Sequence, residues 1–78
     1  LDDVRAGDGT ISQGARTPAV REIQTLLAQA GIQVAVDGDF GRGTKAAVEQ
    51  FQRASGLDVD GIVGRNTLAA LEAAANGG

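Results

Sequence analysis

Carboxylates, arginines and hydroxyls stand at matched positions in two stretches of this chain, "VDGDFGRGTKAAVEQ" from Val36 and "VDGIVGRNTLAALEA" from Val59. Asp37, Arg42, Thr44 and Glu49 are answered twenty-three residues later by Asp60, Arg65, Thr67 and Glu72. Paired carboxylates are the groups glycoside hydrolysis needs, one as acid and one as base or nucleophile. Glu49 and Glu72, however, each lie in an Ala-rich helical stretch, where a solvated face is the simpler reading, and three short helices offer no deep cleft. The chain has no His, Cys or Tyr, so Ser12 and Ser55 lack a base to activate them. Catalysis is therefore not expected of this segment.

Metal and phosphate chemistry fail on spacing. Asp58 and Asp60 open like a calcium loop, but such a loop closes with a bidentate carboxylate about eleven residues on. That position is Ala69 counted from Asp58 and Val48 counted from Asp37, both apolar. "GDFGRGTK" has the glycines of a phosphate loop, yet Thr44 precedes Lys45 and no strand–helix–strand unit surrounds it. The triplet Asp39-Phe40-Gly41 is a chance echo of a kinase motif in a chain far too short for that fold. No metal and no cofactor are expected. Arg42 and Arg65, each following a glycine at a helix start, are instead candidates for holding a carboxylate. The competing expectation is that each arginine pairs with Asp37 or Asp60 of its own loop, or faces water.

Three amphipathic stretches must position these groups. Thr17 is a candidate N-cap, Pro18 suits the first helical position, and Gly31 is a stop signal. Val20, Ile23, Leu27 and Ala30 recur at helical spacing, with Leu26 on the flank; Arg21, Glu22, Gln24 and Gln29 are read as the polar side. A second helix is predicted from Arg42 or Gly43 to Ser55, closed by Gly56, with Ala47, Val48, Phe51 and Ala54 inward. A third is predicted from Arg65 to Ala75, with Leu68, Leu71 and Ala75 inward. Between helices, each Asp-Gly marks a turn. Phe40 and Val63 are expected to anchor the loops beneath the helices, and Thr44 and Thr67 to bond loose backbone groups of the first turn. Val34, Val36 and Val59 leave room for short β-pairing between the two loops. Residues 1–16 are rich in Gly and Asp and non-periodic, a loosely ordered arm that packs Val4 and Ile11 onto the bundle. Residues 17–75 form the domain proper and 76–78 a tail or linker.

Seventy-eight residues without cysteine allow one small core and no disulfide staple. A domain of this size buries only about 60–65 % of its unfolded surface. The net charge of −3 argues against nucleic acid, which needs a basic face, and no apolar run reaches the ~20 residues needed to cross a bilayer. A start at Leu1 rather than Met reads as a processed or excised piece. Repeated loop–helix units in so short a chain imply that neither unit closes a core alone.

The stretch "PAVREIQTLLAQAG…VDGDFGRGTKAAVEQFQRASGLDVDGIVGRNTLAAL" resembles the peptidoglycan-binding domains found beside bacterial and phage cell-wall hydrolases. That family is marked by V-x-x-L-Q-x-x-L, D-G-x-F-G-x-x-T-x-x-A-V-x-x-F-Q and G-L-x-x-D-G-x-V-G-x-x-T. Ile23 replaces the first Leu, and Arg42 and Arg65 stand where relatives often carry Pro. The resemblance spans about Gly14 to Leu71. It implies an all-α, closed orthogonal three-helix bundle, monomeric, that binds peptidoglycan without cutting it and targets a covalently attached hydrolase, in the cell envelope or as a phage product acting on a host wall. Ligand contacts are expected from the repeated loops: Asp37, Gly38, Asp39, Gly41, Arg42, Thr44 and Gln52 in the first unit, and Asp60, Gly61, Gly64, Arg65 and Thr67 in the second. With both Phe residues assigned to the core, recognition is expected through backbone amides, Asp, Gln and Arg groups, the stem-peptide carboxylates included. By resemblance the same fold also serves as a metalloprotease prosegment, but a metal-blocking Cys is absent. A protein-interaction module without glycan affinity is the remaining rival.

Overall fold

The computed structural model describes residues 9–76 and is all-helical. Helix α1 spans Pro18–Gln29, α2 Arg42–Ala54 and α3 Arg65–Ala75. The bundle packs α1 chiefly against α3 and less extensively against α2. No helix is long and apolar enough to cross a membrane.

The helix ends follow the punctuation. Pro18 opens α1 after Thr17, although the Thr17 side chain makes no capping bond. Gly31 and Gly56 take φ of +90° and +73° just past α1 and α2, the left-handed conformation that terminates a helix without a Cβ penalty. Inward stripes of Val20, Ile23 and Leu27, of Ala47, Val48 and Phe51, and of Leu68 and Leu71 meet in one core with Ile11, Ile32, Phe40 and Val63. Phe40 and Val63 lie fully beneath the helices as expected. Ala54, expected inward, is exposed at the last residue of α2, and Ala75 is only half-buried.

The arm departs most from expectation. Val4 lies outside the described residues. Ile11 is buried and forms an isolated antiparallel bridge with Val63, its N–H donating to the Val63 carbonyl at 3.0 Å and its carbonyl accepting from Val63 N–H at 2.8 Å. Gly14 donates to the Phe40 carbonyl at 2.9 Å, and Phe40 donates to the Ala15 carbonyl at 3.0 Å. The two loops therefore do not pair with each other; each offers the backbone of its buried apolar residue to the arm. The reason is accounting: Phe40 and Val63 are buried, so their N–H and C=O groups need partners. No strand forms among the described residues. From Ile11 onward the arm is a strap across both loops.

Replacing Ile11 by Ala tests the strap. Loss of this buried side chain is expected to cost about 2 kcal/mol in urea unfolding followed by circular dichroism. A change below ~0.5 kcal/mol, the range of surface substitutions, would mean the arm is not part of the cooperative unit.

Candidate functional site

The site is built from two buried glutamines. Gln24 on α1 and Gln52 on α2 are 0% and 1% exposed, and each is the hub of the loop that follows its helix. Gln24 Nε2 donates to Asp37 Oδ1 at 2.9 Å, to the Asp39 carbonyl at 3.1 Å and to Thr44 Oγ1 at 3.0 Å. Its Oε1 accepts from the backbone N–H of Asp37 at 3.0 Å and Gly38 at 2.8 Å. Gln52 repeats the pattern bond for bond: Nε2 donates to Asp60 Oδ1 (2.8 Å), the Ile62 carbonyl (3.0 Å) and Thr67 Oγ1 (3.2 Å). Its Oε1 accepts from Asp60 N–H (3.1 Å) and Gly61 N–H (3.0 Å). A primary amide has two hydrogens and two lone pairs, so three acceptors share the two hydrogens of each Nε2 and both side chains are saturated.

Each hub holds an Asx turn. Asp37 Oδ1 accepts from Asp39 N–H at 3.0 Å, and Asp60 Oδ1 from Ile62 N–H at 2.9 Å. These backbone donors, followed by the glutamine amides, hold both carboxyls below the ordinary aspartate range. Gly38 and Gly61 complete the turns with φ of +80° and +71°. Gly61 also lies flat under α2, where an added Cβ would meet Lys45 Cγ at 2.8 Å and Glu49 Cγ at 3.5 Å. An alanine there would meet both strain and a clash.

The sequence had Gln24 on the polar side of its helix; it is fully buried, because the loop supplies a partner for every atom of its amide. Thr44 and Thr67 are likewise buried and accept from the glutamines, and Thr44 Oγ1 also donates to the Asp39 carbonyl at 3.5 Å. Of the twelve expected contact residues, Thr44, Gln52, Gly61 and Thr67 thus face inward, and Gly38, Gly41 and Gly64 are half-buried. Asp37, Asp39, Arg42, Asp60 and Arg65 are exposed. Among the described residues Arg42 and Arg65 make no ion pair with Asp37 or Asp60; Asp39 instead faces Arg16 at 3.8 Å.

Outside each hub lies an open groove. The first, of about 390 Å³, runs between the extended residues Gln33–Ala35 and the start of α2 at Gly43 and Thr44, past Asp37, Asp39 and Gly41. The second, of about 730 Å³, is lined by the equivalent residues twenty-three positions on, together with Arg65 and, from the arm, Gly9 and Thr10.

Residues 16–71, which carry both hubs and most of both groove walls, match the peptidoglycan binding domain family. The chain belongs to this family. It is 47% identical over 71 residues to the zinc D-Ala-D-Ala carboxypeptidase of Streptomyces albus G, a match covering 87% of this chain and 28% of that enzyme. Among solved structures, the N-terminal domain of SleB superposes with a TM-score of 0.83 at 39% identity, covering 87% of this chain and 94% of that one. A Burkholderia AP3 phage endolysin superposes at 0.80 with 37% identity, over 83% of this chain and 25% of the endolysin. The chain thus spans about a quarter of the carboxypeptidase and of the endolysin, and nearly the whole of the separately solved SleB domain.

Two measurements test the hubs. Gln52→Ala leaves the N–H groups of Asp60 and Gly61 without their acceptor and is expected to cost about 2–4 kcal/mol, whereas Gln50→Ala, exposed on the same helix, should stay within about 0.5 kcal/mol. A small effect of Gln52→Ala would mean water replaces the hub. The acid limb follows from the two aspartates. Their folded values lie below the unfolded value of about 3.9, so the stability they contribute is present above that value and is lost as pH falls through the folded ones. The thermal midpoint should therefore drop below pH ~4, and Asp37→Asn with Asp60→Asn should flatten that drop. An unchanged acid limb in the double variant would contradict the assignment.

Proposed function

We propose that this peptidoglycan-binding module holds an attached cell-wall hydrolase against its polymeric substrate, outside the cytoplasm, on the wall of its own source or, as a phage product, on a host wall. The observation that carries the reading is the family match over residues 16–71, within which both hubs and their grooves fall. The carboxypeptidase and the endolysin are both much longer than the matched segment, so in each the module sits beside other chain, and a tethered partner is the economical reading here too.

The hub geometry divides the labour within each loop. Inward atoms fix the loop's shape, so ligand contacts are drawn from the outward side of the loops, where Asp37, Asp39, Arg42, Asp60 and Arg65 are exposed. Both grooves are shallow and open, so a single module binds weakly. Retention arises because a polymer offers many sites and each engagement raises the effective concentration of the next.

Co-sedimentation with purified sacculi tests the proposal. The chain is expected to pellet with sacculi and to stay in the supernatant with cellulose, releasing no soluble muropeptide. Failure to pellet, or release of fragments by the chain alone, would overturn it.

A further inference from the structure

The two grooves are lined by corresponding residues, yet they are unequal, and the differences point one way. Where the first has Gln33, the second has Gly56, which removes a side chain from the wall, and the arm adds Thr10 on the other flank. Where the first has Asp39, the second has Ile62, 38% exposed. Ala35 is answered by Asp58. Arg65 lines the second groove, whereas Arg42 is absent from the lining of the first. Asp39 lies 3.8 Å from Arg16, while Arg65 forms no ion pair among the described residues.

Resting on the wall-binding reading, we propose that the second groove alone is the ligand site and that it takes the stem peptide of the wall rather than its glycan. Sugar rings are commonly gripped on exposed aromatic faces. Here Trp and Tyr are absent and both Phe residues are buried. The second groove offers what a short peptide with a free C-terminus needs. Arg65 is a planar fork for a terminal carboxylate, Ile62 is an apolar contact for a small side chain such as alanine's methyl, and Asp58 is an acceptor for a diamino acid's ammonium. Each groove has two aspartates on its wall, but only the second has an arginine beside them, so the first offers the same carboxylate no counter-charge.

The test is an amide NMR titration of the 78-residue chain with three probes. These are the pentapeptide L-Ala-γ-D-Glu-L-Lys-D-Ala-D-Ala, its C-terminal amide, and peptide-free chitotetraose. The pentapeptide is expected to move the amides of Thr10, Asp58, Ile62 and Asn66 and to leave Gln33, Val34 and Gly43 in place. The amide form, and the Arg65→Ala variant with the free acid, should each bind roughly tenfold more weakly, the worth of one charge-assisted contact. Arg42→Ala and Asp39→Asn should bind the pentapeptide as the parent does. Shifts in the first groove, equal binding of acid and amide, or a response to chitotetraose in place of the peptide would each overturn the proposal. Sedimentation separates the two possible failures. Pelleting with sacculi without any peptide response overturns the groove assignment alone; neither pelleting nor response overturns the wall-binding reading with it.

Discussion

A primary amide buried in an apolar interior costs several kcal/mol unless every hydrogen and lone pair is used. Gln24 and Gln52 meet that condition only when the following loop adopts one conformation: turn N–H groups on Oε1, and an Asp carboxylate, a carbonyl and a threonine hydroxyl around Nε2. The penalty for any other loop conformation is what makes this one unique. A chain this short has no disulfide to hold its connections. The polar hubs do that work from inside, and of the outward groups only the Asp37 and Asp60 carboxylates take part in it.

The duplication becomes clearer once the hubs are included. The loops repeat at an interval of twenty-three residues, but the helices that serve them repeat at twenty-eight: Val20, Ile23 and Gln24 match Val48, Phe51 and Gln52. The mismatch arises because thirteen residues separate Gln24 from Asp37 and only eight separate Gln52 from Asp60. The longer first connection contains Ile32, which enters the core, and Val34, which packs against it. Helix α2 accordingly plays two parts, receiving the first loop through Thr44 and organising the second through Gln52. Helix α3 only receives. Counting twenty-three residues on from Gln52 gives Ala75, at the end of α3, whose side chain has no amide to serve as a hub.

Much of this was legible beforehand. Pro18, Gly31 and Gly56 punctuate the chain unambiguously, so the helix limits and most of the core followed from spacing and backbone chemistry. The role of Gln24 did not, because an amphipathic pattern sorts residues by polarity and cannot know that a distant turn will satisfy a polar one. The signal was present: two helices each carry Val-x-x-apolar-Gln, and each is followed by Asp-Gly and, six residues past that glycine, a threonine. Reading the repeat from the loops alone hid it, since the intervals differ. Packing of Ile11 onto the bundle was expected, but the arm's backbone pairing with both loops was not, for a similar reason. Gly- and Asp-rich residues have no periodicity, and their order comes from the buried backbone groups of Phe40 and Val63 that need partners, which is a tertiary fact.

The grooves inherit their rigidity from the hubs, and this bears on how weak contacts can suffice. A loop that must be ordered on binding loses conformational freedom at each residue fixed, and a shallow site has few contacts with which to offset that loss. Here the turn is already fixed by bonds that ligand never touches, so little of the contact energy is diverted to ordering it. Asp60 shows the economy within one side chain: Oδ1 is committed to Gln52 and Ile62 N–H, while the residue remains exposed at the groove wall. Duplication supplies two such prepared loops, and once the fold is secured by the inward atoms the outward positions are free to diverge. Asp39 against Ile62, and Gln33 against Gly56, are divergences of this kind: they alter groove shape and polarity without disturbing a hub side chain, because only the backbone of Asp39 and Ile62 enters the network.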